Sequence, residues 1–109
     1  MGVSKTTQFT TTQNRKAELF KALGHPARIA IVEFLLEKSA CICNDLVEIL
    51  PLSQSTISQH LAALKKVGII KGEIEGAKMC YCIDISVWEE MNKINQLLIE
   101  SYSKKIECC

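Results

Sequence analysis

The sequence predicts a mainly α fold with a small β-hairpin wing, a winged helix-turn-helix. Three observations carry that expectation. Apolar residues recur at helical spacing through most of the chain. The stretch from Leu52 to Gly76, LSQSTISQHLAALKKVGIIKGEIEG, passes from a polar-faced helix directly into residues of period two. The total length of 109 residues suits one domain with a modest core.

Taken in order, residues 1–13 are polar and Thr-rich with one aromatic, Phe9, and read as a loosely ordered arm. The domain proper then spans 14–105. Its first helix runs from about Asn14 to Leu23 and presents Ala17, Leu19, Phe20 and Leu23. Gly24-His25-Pro26 interrupts it, and Pro26 at a first helical position loses only an amide that has no partner there anyway. The second helix, to Glu37, is expected to pack Ile29, Ile31, Val32, Phe34, Leu35 and Leu36. Ser39 to Cys43 is too short for a helix and reads as a small strand, followed by a helix from about Asn44 to Leu50 that Pro51 discourages from continuing.

Ser53 can cap the next helix by accepting a first-turn amide, and Gly68 can end it in the left-handed conformation. Between these caps Ile57, Leu61 and Leu64 form one apolar stripe. Ile70, Gly72 and Ile74 then alternate with Lys71, Glu73 and Glu75, Gly76-Ala77 turns, and Lys78 to Asp84 returns as the second strand. Ser86 is expected to cap a last helix that reaches about Ser103, with Val87, Met91, Ile94, Leu97, Leu98 and Ile99 on an unusually wide apolar stripe. Residues 106–109 form a tail ending in Cys108 and Cys109.

The polar face of the Ser53 helix is the chemically suggestive one. At about 100° per residue, Ser55, Gln59, Ala62 and Lys66 project away from the apolar stripe, with Thr56 and Ser58 at its flanks. Small hydroxyl residues permit close approach to DNA, Gln can pair with an adenine edge, and Lys neutralises phosphate. An ordinary solvated face has a similar pattern, so the hairpin that follows is what favours nucleic acid. Candidate contacts are Ser53, Gln54, Ser55, Thr56, Ser58, Gln59 and Lys66, joined by Lys71 and Lys78 of the hairpin. A net charge of +1 argues against a polybasic binder, but charge is uneven: Lys5, Arg15, Lys16, Lys21 and Arg28 precede an acidic segment holding Glu33, Glu37, Asp45 and Glu48. The expected basic surface is therefore local.

The segments GHPARIAIVEFLL, ACICNDLVEIL and SQSTISQHLAALKKVGII together resemble the ArsR/SmtB family of metal- and metalloid-responsive repressors, and its arsenic-responsive branch in particular. The likeness covers roughly residues 15–102. It implies double-stranded operator DNA as partner and a homodimer built through the first and last helices. The wide last stripe suits such an interface, although a core-packing helix would also account for it. The resemblance further implies that Arg28 touches the DNA backbone; an ion pair with Glu33 or Glu37 is the alternative reading.

Six cysteines would be disulfide staples in a secreted protein. Nothing here reads as a signal peptide or an apolar run of about 18 residues, so a cytoplasmic protein without membrane contact is expected, and its thiols are read as ligands or reactive groups. Cys41 and Cys43, two apart on an extended segment, point to one side and can clamp a soft ion, and a nearby helix start favours their thiolates. Two small buried hydrophobes would show the same pattern.

By resemblance, a Cys-x-Cys here looks like the sensing site of arsenic-, cadmium- and lead-responsive members. A third cysteine often found one turn further on is replaced by Leu46. The missing thiolate then comes from Cys108 or Cys109, or from Cys80 and Cys82 on the returning strand, or from neither. The zinc-type site that some relatives place on the last helix is not expected, because Asp84-Ile85-Ser86 and that helix lack histidine, and His60 is expected to pack or bond locally.

The resulting expectation is a repressor that needs no cofactor to bind DNA and is released by trivalent arsenic or antimony, with cadmium, lead, or thiol oxidation or persulfidation as alternative signals. A thiol redox enzyme is disfavoured because there is no Cys-x-x-Cys motif. A metal-buffering protein would not need the Ser55/Gln59/Lys66 face.

Overall fold

The computed structural model of the chain describes residues 8–38, 42–43, 46–75 and 78–104. The first helix, α1 (Thr11–Leu23), starts three residues ahead of the expected Asn14. A capping box explains the early start: Thr10 Oγ1 accepts from the Gln13 amide at 3.0 Å while the Thr10 amide donates to Gln13 Oε1 at 3.0 Å. Residues 1–7 of the expected arm lie outside the described residues.

Helix α2 (Pro26–Glu37) begins at the proline, with His25 as its cap, Nδ1 accepting from the Ala27 amide at 3.0 Å. Only one of its faces is used. Ile31, Val32 and Leu35 are buried and Phe34 is half-covered, whereas Ile29 and Leu36 are 41% and 54% exposed. The expectation that all six apolar residues pack is therefore corrected, because residues at other angles of the helix face away from the core.

A two-residue strand, β1 (Ile42–Cys43), precedes the single helical turn α3 (Leu46–Ile49) and the longer α4 (Gln54–Lys66). Ser53 caps α4 as expected, its hydroxyl accepting from the Thr56 amide at 3.3 Å. At the other end the Ile69 amide donates to the Leu64 carbonyl at 3.1 Å and the Gly68 amide to Lys65 at 3.0 Å. These two bonds are the Schellman closure, and they place Gly68 at φ 87°, where a Cβ is costly. Ile57, Leu61 and Leu64 are buried.

Strands β2 (Ile70–Glu75) and β3 (Lys78–Ile83) form the antiparallel wing, pairing Ile70 with Ile83 through Glu75 with Lys78. The turn at 76–77 lies outside the described residues. β1 adds to the free side of β3, so the sheet order is β1-β3-β2, with Ile42 opposite Tyr81 and Cys43 opposite Cys80. Gly72 is required by contact: a Cβ there would lie 2.4 Å from Tyr81 Cδ1 and 2.5 Å from the Cys80 carbonyl.

The last helix, α5 (Ile85–Ser103), is capped by Asp84 rather than by Ser86. Asp84 Oδ1 accepts from both the amide and the hydroxyl of Ser86, at 3.1 and 2.7 Å, which makes Ser86 the donor instead of the cap. Tertiary bonding fixes this start: the Ile69 carbonyl accepts from the Asp84 amide at 3.3 Å and from Trp88 Nε1 at 3.0 Å. The buried centre comprises Leu19, Ile31, Leu64, Ile69 and Ile70, each burial stabilising by about 1.5–3 kcal/mol relative to exposure. It thereby joins α1, α2 and α4 to the base of the wing.

Candidate nucleic-acid interface and thiol cluster

Packing Ile57, His60, Leu61 and Leu64 inward turns the opposite face of α4 outward. Ser53, Gln54, Ser55, Gln59, Ala62, Lys65 and Lys66 are exposed, and Thr56 and Ser58 are half-buried. Ser53 Oγ lies 3.2 Å from Ser55 Oγ and donates to Thr56 Oγ1 at 2.9 Å, so the three hydroxyls are held together at the amino end. That end also carries the helix's partial positive charge, which suits a phosphate. Lys65 and Lys66 sit in the last turn, and Lys71 is exposed on β2. Lys78 opens β3, 

paired with Glu75, and only its backbone position is described.

Arg28 is half-buried at the junction of α2 with α4 and makes neither ion pair of the alternative reading. Its Nε donates to His60 Nδ1 at 3.1 Å and one terminal nitrogen donates to the Ala22 carbonyl at 3.1 Å. The guanidinium thus ties α1, α2 and α4 together, while a phosphate contact implied by resemblance would have to use its remaining donors. His60 is buried and packs against His25, the two rings tilted at 47° with centroids 4.5 Å apart. Burial, then the neighbouring His25 and Arg28, hold the His60 pKa below its ordinary value of 6.5. Accepting at Nδ1 requires the neutral ring with its proton on Nε2. His60 therefore bonds locally, as expected.

The thiols converge only in part. Cys41, Cys108 and Cys109 lie outside the described residues. Cys43 is placed by its backbone directly across from Cys80, and Cys82 lies two positions further along β3, paired with Lys71 on the other side. Cys80 is disulfide-bonded. Among the described residues no group of three His, Cys, Asp or Glu side chains stands together as a metal site.

A polar, hydroxyl-rich helix with a lysine end, braced by a one-turn helix and followed by a paired wing, is the layout that comparison with known proteins finds elsewhere. The model described as bacterial regulatory protein, arsR family, matches residues 25–71, which contain α2, β1, α3 and α4. The uncharacterized helix-turn-helix transcriptional regulator MJ1325 of Methanocaldococcus jannaschii is 40% identical over 85 residues, covering 76% of this chain and 94% of that protein. The chain belongs to the arsR family. Its resemblance to the transcriptional repressor SmtB of Mycobacterium tuberculosis is 44% identity over 64 residues, 59% of this chain and about half, 47%, of that protein. The crystal structure of Mycobacterium tuberculosis Rv0081 superposes with a TM-score of 0.62 at 31% identity, covering 87% of this chain and 96% of that one.

As an arsR-family member the chain is a DNA-binding transcriptional regulator and not an enzyme. Within that frame one residue and one pairing escaped the sequence reading. Lys65 is exposed beside Lys66 and was legible as a second cation in the last turn. Arg15 bonds Glu90 through Nε at 2.9 Å and a terminal nitrogen at 3.1 Å, clipping α1 to α5. Each partner's charged form is favoured by that bond, raising the Arg15 pKa and lowering that of Glu90. No sequence pattern signals this pair, since its members are joined only by the fold. Among the described residues no helix is long and apolar enough to cross a membrane.

Proposed function

We propose that the chain is a homodimeric repressor that holds operator DNA with α4 and its wing and lets go when its thiolates capture trivalent arsenic or antimony. The observation that carries this reading is the placement of Cys43 in the strand that feeds the helix-turn-helix, with Cys80 opposite it on the wing. A soft ion bound there acts on both segments that flank α4. Cys41 and Cys43 are the primary donors, with a third thiolate from Cys80 or from the Cys108-Cys109 tail. Sulfur-only ligation suits thiophilic ions, whose bonds to two neighbouring thiolates need no other donor type.

Two recognition helices related by a two-fold axis enter major grooves about 34 Å apart on a palindromic operator. The exposed apolar residues of the second half of α5, with Leu97, Ile99 and Tyr102 59%, 63% and 80% exposed, support the dimeric reading because such surface is costly to leave in water. Arg28 and the α4 amino end position the phosphates, Gln59 reads a base edge, and Lys66, Lys71 and Lys78 neutralise charge.

Fluorescence anisotropy tests this reading. A duplex selected from random DNA by the reduced protein is titrated with arsenite, antimonite, cadmium and zinc, for wild type and for Cys108→Ser/Cys109→Ser. Release by arsenite or antimonite supports the proposal. Loss of release in the variant assigns the third thiolate to the tail, and retained release moves it to the wing cysteines Cys80 and Cys82 or leaves a two-thiolate site. Absence of release by any of the four ions overturns the ion-sensing reading and leaves the DNA face standing.

A further inference from the structure

Cys80 lies in the central strand of the sheet, is disulfide-bonded, and has Cys43 as its Cα partner across the β1-β3 ladder. Directly opposed residues of an antiparallel pair have Cα atoms about 4.5–5.5 Å apart, within the roughly 4.4–6.8 Å that a disulfide spans. Diagonal neighbours stand about 7–8 Å apart, beyond that reach. We propose that Cys43 and Cys80 form a reversible cross-strand disulfide that withdraws Cys43 from ion capture, so that oxidant and soft ion compete for one sulfur. The competition rests on the reading of Cys43 as a sensing thiolate; the disulfide itself rests on the ladder.

The oxidant class is a peroxide. One thiolate attacks a peroxide oxygen and breaks the O–O bond, giving a sulfenic acid and water once a proton is added. The second thiolate attacks that sulfur, forming the S–S bond and expelling hydroxide, which takes up a proton to become a second water. Two thiols and one hydrogen peroxide thus become one disulfide and two waters. A thiol reductant reverses the step by exchange.

The location gives the bond a consequence. β1 leads into α3, which packs on α4, and β3 pairs with β2, which leaves α4 through Gly68. Closing the pair fastens the entry of the helix-turn-helix to the wing, holding the two segments in the register that the sheet already sets. Sulfurs joined in the S–S bond carry no thiolate charge to offer an arsenic(III) centre, so the oxidised form loses Cys43 and Cys80 as donors and binds it more weakly.

Two full-length variants test the pairing. Cys41→Ser/Cys82→Ser/Cys108→Ser/Cys109→Ser keeps Cys43 and Cys80, and Cys43→Ser/Cys82→Ser/Cys108→Ser/Cys109→Ser keeps Cys41 and Cys80. After one equivalent of hydrogen peroxide, the first is expected to lose both thiols and the mass of two hydrogens while remaining a single chain, and to regain them with a phosphine reductant. The second should close roughly tenfold more slowly or give oxygen adducts instead, because the uncatalysed rate follows access between sulfurs. Equal closure of the two variants, or linkage between chains in the first, overturns the assignment.

Arsenite uptake by wild type then tests the competition. Reduced protein is expected to bind it, peroxide-treated protein to bind roughly tenfold more weakly, and phosphine treatment to restore uptake. Equal uptake in both redox forms overturns the competition. No uptake by the reduced form removes the ion-sensing reading on which the competition depends, and the thiol counts still decide the disulfide.

Discussion

Gln59 and Lys66 stand two turns apart on one exposed face of α4 but are expected to fail differently when truncated. Gln59→Ala removes a base-edge donor and acceptor and should relax preference at one base pair, costing about 1–3 kcal/mol of discrimination. Lys66→Ala should weaken specific and nonspecific binding together and reduce the salt slope by about 1. Operator titrations at several salt concentrations separate the two, and unchanged affinity in both variants would remove α4 from the groove. His60 makes a different expectation, about pH. Its folded pKa lies below 6.5, so the unfolded chain binds the proton more readily; the stability of the neutral, Arg28-bonded ring is complete above about pH 6.5 and is lost as pH falls through the depressed value. Urea unfolding at pH 7.5 and 5.5 should therefore show a smaller loss for His60→Gln than for wild type. An equal loss in both proteins would mean that His60 is not the group responsible.

At the scale of elements, the wing's close fit depends on one missing side chain. Gly72→Ala would press a methyl group against Tyr81 and the Cys80 carbonyl and should destabilise by about 1–3 kcal/mol, read as a lower urea midpoint with an unchanged slope. The α1-α5 clip is weaker: its side chains are about a third exposed, 31% and 38%, so solvent screening holds Arg15→Ala to about 1 kcal/mol or less. What could be read from the sequence at this scale was local. Ser53, Gly68 and the alternating exposure of Ser55, Gln59, Ala62 and Lys66 follow from bonds and spacings within a turn or two of helix. The early start of α1 was also local, but Thr10 and Gln13 compete with other polar residues in a Thr-rich stretch, so the box is ambiguous until its geometry forms. Asp84 displaced Ser86 as the cap because the Ile69 carbonyl, reached only through the fold, holds the Asp84 amide in place. Arg28 found His60 rather than Glu33 or Glu37 for the same reason: its partner is 32 residues away and buried beside it. The opposition of Cys43 and Cys80 likewise depends on strand register, which period-two spacing within each strand leaves open.

At the scale of the whole molecule, α5 leaves an apolar face uncovered next to the α1-α5 clip, and the proposed dimer assigns that face to a second copy of the chain. Leu98→Glu, at a position 49% exposed, should shift sedimentation from dimer to monomer and weaken operator binding, whereas a dimer that persists would place the interface elsewhere. Such a change should leave the fold intact, since Leu98 lies outside the buried centre formed by α1, α2, α4 and the wing base. The central claim is that ion capture near Cys43 and operator binding at α4 are energetically linked. The measurement that reaches it most directly is a closed cycle: operator affinity with and without saturating arsenite, and arsenite affinity with and without saturating operator, all on reduced protein. The expected result is a weakening of about 5- to 150-fold, equal in the two directions, as a coupling of about 1–3 kcal/mol requires. Identical operator affinity with and without bound arsenite would contradict it.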